Sequence, residues 1–180
     1  GELEVRNHCR VEQVILRPPA VYGPRDEEFL RLFRAVKRHV WPRASSAQAL
    51  SLVFVKDLAE AVVACLNHPA AAGKTYFVAA REVVTARSLT AEIAAQMNHW
   101  TVPLPLPAAL LWPICLAAEA WSGLTGKPSV LSRQKFAELR APGWVCDPAR
   151  LERDTGCACA TTLRPGIADT LRWYREQGWL

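Results

Sequence analysis

The stretch that decides the fold reads Arg17-Pro18-Pro19-Ala20-Val21-Tyr22-Gly23-Pro24, and an apolar, strand-like run over residues 11–16 leads directly into it. Proline has no backbone N–H group and restricts the residue before it, so the strand is predicted to end in a rigid turn. A second apolar run reaches an acid in Leu52-Val53-Phe54-Val55-Lys56-Asp57-Leu58-Ala59. Ligands of open α/β sheets bind at the carboxyl edge of the strands. The turn is therefore the first candidate for a binding site.

Length and composition allow one domain with a small appended lobe. The chain has 180 residues, of which 51% are hydrophobic and 22% are charged, and its formal net charge is +5. This charge permits an acidic ligand but does not demand one. A basic helix face is interpreted as solvated, so no nucleic acid is expected as a partner. Its cations are Arg31, Arg34, Lys37 and Arg38.

The cysteines are predicted to be free thiols in a reducing cytoplasm. Six of them are scattered along the chain, and the first residues carry no secretory signal. Cys157-Ala158-Cys159 is too closely spaced for an ordinary zinc pair, and no histidine follows it. No metal site is therefore expected.

Before residue 50, the pattern predicts a helix end, a strand and a helix. Residues 1–10 are typical of the tail of a helix that begins before Gly1, and residues 11–16 form the strand. Asp26 is predicted to cap the next helix, and residues 42–50 to form a polar loop. The apolar residues expected on the buried face of that helix are Leu30, Phe33, Val36 and Val40.

The next fifty residues continue the alternation. A strand is predicted over 51–55, and a helix that begins at Asp57 ends at His68-Pro69. A strand over 74–80 is followed by a helix that Thr85 or Ser88 caps, and then by a short strand over 101–104. The apolar faces expected of the two helices are Leu58, Ala61, Val62, Cys65 and Leu66 in the first, and Leu89, Ile93 and Met97 in the second.

Residues 102–124 are the most apolar part of the chain, with Glu119 as their one charge. Their four prolines and this acid favour a kinked, buried helix or a pocket lining over a membrane span, which is the alternative. A short helix is predicted over 132–139, another from Asp147-Pro148 to Gly156, and a last one over 164–177. The apolar face of the last helix comprises Ile167, Thr170, Leu171 and Tyr174.

Alternating strands and helices followed by helices alone predict an α/β protein. Residues 1–100 are expected to form a nucleotide-binding type of α/β unit with interleaved segments of a substrate lobe. Residues 101–180 are expected to form the mostly helical substrate lobe. No nucleophile–base pair and no glycine-rich phosphate loop is found in the chain, so it carries no self-sufficient catalytic site.

Two motifs and the chain end carry a family resemblance. The run over residues 17–24, the Val-x-Asp-Leu-Ala element at residues 55–59 and the closing pattern from Gly143-Trp144 to Leu180 occur in order. They resemble the extended short-chain dehydrogenase/reductase family of NAD(P)-dependent epimerases, dehydratases and hydroxysteroid-type dehydrogenases. The resemblance covers nearly the whole chain. It implies the C-terminal part of a Rossmann-like, doubly wound parallel sheet followed by the substrate lobe.

The resemblance also implies residue roles and a cofactor. NAD or NADP is the expected cofactor, and the catalytic Tyr-x-x-x-Lys pair is expected upstream of Gly1, so no catalytic residue is assigned here. The turn residues assigned to the cofactor are Pro18, Pro19 and Val21, those assigned to the substrate are Ala20, Tyr22 and Arg25, and Arg17 and Asp57 are assigned structural roles. From the residues alone, Tyr22 is interpreted as a packed turn residue and Asp57 as a helix cap. Two roles stay open for Arg17, which could pair with a buried acid or reach a ligand. Two also stay open for Arg25, which could contact an anionic substrate or lie at the surface.

Departures from the family pattern bear on the substrate. Nucleotide-sugar members usually have Asn where Ala20 stands and Arg near Leu50 or Ser51, and a diphosphate without such partners binds poorly. A rather apolar substrate, hydroxysteroid-like or flavonol-like, is therefore favoured over the nucleotide-sugar alternative. A non-catalytic interaction or membrane-associated module is the other alternative. The expected partners are a small-molecule substrate and the N-terminal half of the same protein, with a homodimer left open and no membrane expected.

Overall fold

The computed structural model describes residues 2–8, 11–43, 48–105 and 143–180 of this mixed α/β chain. Its helices are α1 (Glu2–His8), α2 (Glu27–Lys37), α3 (Val55–Asn67), α4 (Ala86–Met97), α5 (Ala149–Thr155) and α6 (Leu163–Glu176), with a 3-10 turn at Pro69–Ala71. Its strands are β1 (Ile15–Arg17), β2 (Ala20–Tyr22), β3 (Val40–Arg43), β4 (Ala49–Phe54), β5 (Thr75–Phe77), β6 (Val83–Thr85), β7 (Val102–Pro105) and β8 (Gly143–Trp144).

Most strand pairs are parallel, and the proline turn lies between two of them. β1 runs parallel to β5, with Arg17 opposite Phe77. β2 runs parallel to β4, with Ala20 opposite Leu52. β4 also pairs with β6, which is antiparallel, and with β8, which is parallel. β3 and β7 form a separate parallel ribbon. The chain therefore passes from one strand partner to another at Pro18-Pro19.

Two apolar cores flank these strands. One is formed by β4 and one face each of α2, α4 and α6, and includes Phe33, Ile93 and Tyr174. The other lies among β5, α3 and α5, and includes Tyr76 and Leu151. Parallel strands covered by helices in this way are typical of α/β proteins.

The predicted caps of α2 and α4, the buried faces of α4 and α6 and the end of α5 are confirmed. Asp26 caps α2 by accepting hydrogen bonds from the backbone N–H groups of Glu28 and Phe29. Thr85 and Ser88 both cap α4, because each side chain binds the other's backbone N–H in a capping box. The predicted faces of α4 and α6 are buried, and α5 ends at Gly156 as expected.

The predictions for residues 38–50 are wrong in part. α2 ends at Lys37, and the left-handed backbone of His39 (φ 61°) redirects the chain into β3. Val40 is therefore a strand residue outside the buried face of α2. The predicted polar loop begins within β3 and ends within β4. Pro42 obscures the strand in the sequence, although proline is tolerated in a strand that pairs on one side.

Strand lengths and one helix face also differ from expectation. β1 and β5 are three residues each because they pair only over that length, and β6 was not predicted. α3 begins at Val55, two residues before the predicted start. Val62 and Leu66, which were predicted to be buried, are exposed.

Other predictions fall on residues that are not described. These are the kinked helix within 106–124 and the helix over 132–139, whereas the predicted strand at 101–104 is confirmed as β7. In the described part of the chain, no helix is long and apolar enough to cross a bilayer. The proposed division at residue 100 stays a prediction.

Candidate functional site

A cavity of about 640 Å³ lies beside the proline turn. The carboxyl ends of β1 and β5 meet the amino-terminal parts of β2 and β4 there, and β8 closes one side. The residues that line it are Arg17, Pro18, Pro19, Ala20, Gln48, Leu50, Ser51, Phe77, Gly143, Trp144, Val145 and Cys146. The turn that the sequence singled out thus forms one wall of this cavity.

The turn stays at the surface because its neighbours hold it on both sides. Pro18 and Ala20 are exposed and Pro19 is half-buried. On one side, the Val78 N–H donates to the Arg17 carbonyl (3.3 Å). On the other, Gly23 has φ 150°, and a Cβ atom there would lie 2.5 Å from Val55 Cγ1. Only glycine therefore lets the end of the turn approach the start of α3.

Arg17 is the one charged residue among the described residues that line the cavity, and Glu2 neutralises it. Its guanidinium donates two hydrogen bonds to the carboxylate of Glu2, from Nε at 2.8 Å and from Nη2 at 2.5 Å. The hydrogen bond from Arg17 lowers the pKa of Glu2. Of the two roles that the sequence leaves open for Arg17, the structure shows the pairing with an acid, which is Glu2 of α1. Both side chains are exposed, whereas the sequence analysis considered a buried acid.

Polar atoms in the cavity are few and partly engaged. Ser51 is buried, and its Oγ accepts a hydrogen bond from the Cys146 N–H (3.2 Å). Burial raises the pKa of the Cys146 thiol, so this sulfur is protonated at neutral pH and is a poor base. The remaining wall is dominated by proline, aromatic and aliphatic side chains.

The other turn residues do not line this cavity. Val21 is half-buried and packs against the second core. Tyr22 is 3% exposed and packs with Phe29 and Phe54 in the first core. Burial is the main cause that raises the pKa of the Tyr22 phenol, which agrees with a packed residue and leaves it neutral. Arg25 is exposed, with a left-handed backbone (φ 73°). The roles assigned to these residues toward cofactor and substrate stay predictions.

Asp57 is not a helix cap, which corrects the interpretation from sequence. α3 begins two residues earlier, after Phe54, so Asp57 lies in its first turn. Its buried carboxylate accepts hydrogen bonds from the Thr161 N–H (2.9 Å) and the Thr161 hydroxyl (2.6 Å). Through these two hydrogen bonds, Asp57 joins α3 to the segment before α6.

Sequence reasoning missed most of the cavity wall. Leu50 and Ser51 are considered there only for the arginine they lack, Trp144 only as part of the family's closing pattern, and Phe77 and Val145 are not singled out. No local signal marks these residues, because three separate segments meet only in the folded chain. Within the described ranges, no group of three His, Cys, Asp or Glu side chains could hold a metal ion.

No family model matches the chain. A ceramide reductase from Caulobacter vibrioides is 31% identical over 168 residues, which cover 93% of this chain and 52% of that protein. A UDP-glucose 4-epimerase from Vibrio cholerae is 31% identical over 126 residues, 68% of this chain and 36% of the epimerase. The chain thus spans about half the length, or less, of these curated relatives.

Solved structures agree on the fold. A UDP-glucose 4-epimerase from Thermotoga maritima, solved with UDP-glucose, matches with a TM-score of 0.66 at 14% identity, over 98% of this chain and 50% of that one. A UDP-glucuronic acid 4-epimerase from Bacillus cereus, solved with UDP-glucuronic acid and NAD, matches with a TM-score of 0.68 at 14% identity, over 98% and 49%. The parallel strands and the cavity at their edge define a Rossmann-like α/β protein.

The family follows from these likenesses together with the motifs. The chain belongs to the extended short-chain dehydrogenase/reductase family, that of the NAD-dependent epimerases and dehydratases, and corresponds to the C-terminal portion of its members.

Proposed function

We propose that this chain forms the nicotinamide-facing turn and the substrate wall of an NAD(P)-dependent oxidoreductase that acts on a hydroxyl or keto carbon of an apolar molecule. The observation that carries the proposal is the cavity beside Pro18-Pro19, whose single described cation is already paired with Glu2. A neutral, apolar cavity at a carboxyl edge of parallel strands suits a neutral, apolar ligand.

The described residues fit the nicotinamide end of the cofactor. Pro18, Pro19 and Phe77 offer flat apolar surfaces beside the exposed turn backbone, on which a planar ring can lie. The bound cofactor would supply or accept a hydride. The role of this chain is to hold the ring and the substrate together and to exclude water from the apolar wall.

The proton chemistry is assigned to residues outside this sequence. Tyr22, in the turn, and Cys146, in the cavity wall, both have raised pKa values and stay neutral at pH 7. Neither is therefore poised to accept a proton. The family's Tyr-x-x-x-Lys pair, expected before Gly1, fills this role in the proposal.

An apolar substrate is favoured on two grounds. A relative that is 31% identical is named a ceramide reductase, and a ceramide is a lipid amide with long hydrocarbon chains. A nucleotide-sugar diphosphate would instead need charged partners, and the described cavity offers only the paired Arg17. The nucleotide-sugar alternative keeps support from the epimerase relative.

Tryptophan fluorescence tests the substrate class, because Trp144 lines the cavity. The chain is titrated with a ketosteroid, with a ceramide in detergent and with UDP-glucose, and a Trp144→Leu variant attributes any quenching to the cavity. We expect saturable quenching by an apolar ligand, none by UDP-glucose, and loss of the signal in the variant. Quenching by UDP-glucose alone would favour the nucleotide-sugar alternative.

Calorimetry with NADH tests the assignment of the cofactor. Since this chain is proposed to hold only the nicotinamide end, we expect no micromolar binding by the chain alone. The protein that includes the proposed upstream half should bind NADH and oxidise it in the presence of an apolar ketone. Micromolar binding by the chain alone would contradict the proposed division of the site.

A further inference from the structure

Exposed apolar side chains lie on the β3–β7 ribbon and on the residue two positions before β7. We call it the ribbon surface and define it by Val40, Trp100, Val102 and Leu104. Val102 and Leu104 point to the same face of β7 because side chains alternate along a strand, and Val40 lies opposite Val102 in β3. All four are exposed, Trp100 by 64% and Leu104 by 51%.

Trp100 is held in place although it is exposed. Its ring stacks on His39, with centroids 4.2 Å apart and an interplanar angle of 16°. His39 Nδ1 donates to the Trp100 carbonyl at 2.9 Å, and the His39 carbonyl accepts from the Val102 N–H at 2.9 Å. A fixed, exposed tryptophan beside three exposed aliphatic residues presents apolar area with a small entropic cost of ordering on contact.

A short stretch of chain joins β3 to the wall of the cavity. Arg43 at the end of β3 is five residues from Gln48 in the cavity wall, so the two backbones are at most about 18 Å apart. The rim of the cavity continues the apolar character, because Phe77, Trp144 and Val145 are also exposed.

Exposed cations lie close in sequence to both parts of this apolar area. Arg38 lies two residues before β3, and Arg87 lies in the first turn of α4, where the neighbouring Ala86 N–H donates to the carbonyl of Gln48 in the cavity wall at 3.3 Å. Both side chains are exposed, and within the described residues neither has an ion-pair partner. Lys37 adds a third cation and donates to the Leu180 carbonyl. Asp147, which follows Cys146 of the cavity wall, accepts a hydrogen bond from the Ala149 N–H.

We propose that the ribbon surface docks on an anionic lipid bilayer, from which the cavity takes its substrate. Exposed tryptophan and aliphatic residues suit the boundary between headgroups and acyl chains, and exposed arginines without an ion-pair partner among the described residues suit anionic headgroups. The transfer of substrate from the bilayer rests on the proposed function, since an apolar substrate resides in the bilayer. The docking of the ribbon surface on the bilayer does not depend on that function.

Vesicle co-sedimentation tests the docking with the whole chain. The probes are vesicles of phosphatidylcholine alone and of phosphatidylcholine mixed with phosphatidylglycerol in equal parts. We expect binding to the anionic vesicles that weakens when salt rises from about 0.1 M to about 1 M, because the Debye length falls to about 3 Å. Equal binding to both vesicle types, or none to either, would overturn the proposal.

Variants locate the binding surface. Leu104→Glu should weaken anionic-vesicle binding about tenfold or more, since a leucine that would enter the bilayer on docking is replaced by a negative charge. Arg38→Gln combined with Arg87→Gln should weaken it about fivefold for each arginine lost. Leu66→Glu is the matched control, because Leu66 is 80% exposed on α3, away from the ribbon. An equal loss in the control would overturn the assignment.

Two further readouts separate the outcomes. Circular dichroism of each variant must match the parent chain, and Trp100→Gln replaces Leu104→Glu if that variant does not fold. A dimer in size-exclusion chromatography that Leu104→Glu dissociates, without vesicle binding, would assign the surface to a second copy and overturn the proposal. Vesicle binding without quenching by apolar ligands would leave the docking intact and reject the proposed substrate.

Discussion

At the scale of single residues, one carboxylate joins the last part of the chain to β5. Asp154 accepts hydrogen bonds from Lys74 Nζ at 2.8 Å and from the Tyr76 hydroxyl at 2.9 Å. The hydrogen bond from Lys74, followed by that from Tyr76, lowers the pKa of Asp154. Burial, followed by the hydrogen bond to Asp154, raises the pKa of Tyr76 to about 12. The folded state thus favours the charged acid and the neutral phenol.

Stability should therefore depend on Asp154 in acid. A depressed carboxyl pKa stabilises the fold above the ordinary aspartate pKa of about 4, and this contribution is lost as the pH falls through the lower, folded value. We expect the difference in unfolding free energy between the parent chain and Asp154→Asn to be large at pH 7 and to shrink toward pH 3 in urea titrations. Tyr76→Phe, which keeps the Lys74 pair, should retain most of the acid dependence. A difference that is constant with pH would contradict this prediction.

At the scale of elements, a glycine sets how closely α6 approaches β2. A Cβ atom on Gly166 would lie 2.1 Å from the Tyr22 hydroxyl oxygen and 2.8 Å from Tyr22 Cζ. The tyrosine cannot move away freely, because its ring is buried between Phe29 and Phe54. The helix can therefore pack here only without a side chain.

Gly166→Ala should destabilise the chain despite the better helix propensity of alanine. Overpacking costs about 1–3 kcal/mol, whereas the propensity gain is about 1 kcal/mol. We expect a net loss of about 1 kcal/mol in urea unfolding, and a smaller loss when the same change is made in a Tyr22→Phe background. A stabilised Gly166→Ala variant would mean that the helix shifts without cost.

Helix ends that are fixed by side chains nearby in sequence could be predicted from the sequence. Strands that depend on partners distant in sequence could not. The cap at Asp26 and the capping box at Thr85 and Ser88 follow from side chains that bind their own helix ends. β3 and β6 exist because β7 and β4 lie beside them, which no local pattern records. Likewise, the turn was identified from its prolines, whereas Trp144 reaches the cavity only through tertiary folding.

At the scale of the whole molecule, the fold brings together the positions on which the proposed substrate class depends. Ala20, where nucleotide-sugar members are expected to carry Asn, and Leu50 and Ser51, near which they are expected to carry Arg, are far apart in sequence but line one cavity. Because Glu2 already pairs with Arg17, the cavity has no described free cation for a diphosphate. The proposed preference for an apolar substrate therefore rests on the charge of the cavity rather than on its size alone.

Supplying the absent groups should shift this preference. Ala20→Asn combined with Leu50→Arg places an amide and an unpaired guanidinium in the cavity, and a charge-assisted hydrogen bond contributes about 1.5–3 kcal/mol. We expect UDP-glucose to bind the double variant at least about tenfold more tightly than the parent chain, in calorimetry, and a ketosteroid to bind less tightly. Ala20→Asn with Leu50→Gln adds no charge and is the matched control. If the control gained as much affinity as the arginine variant, the charge of the cavity would not be what selects the substrate.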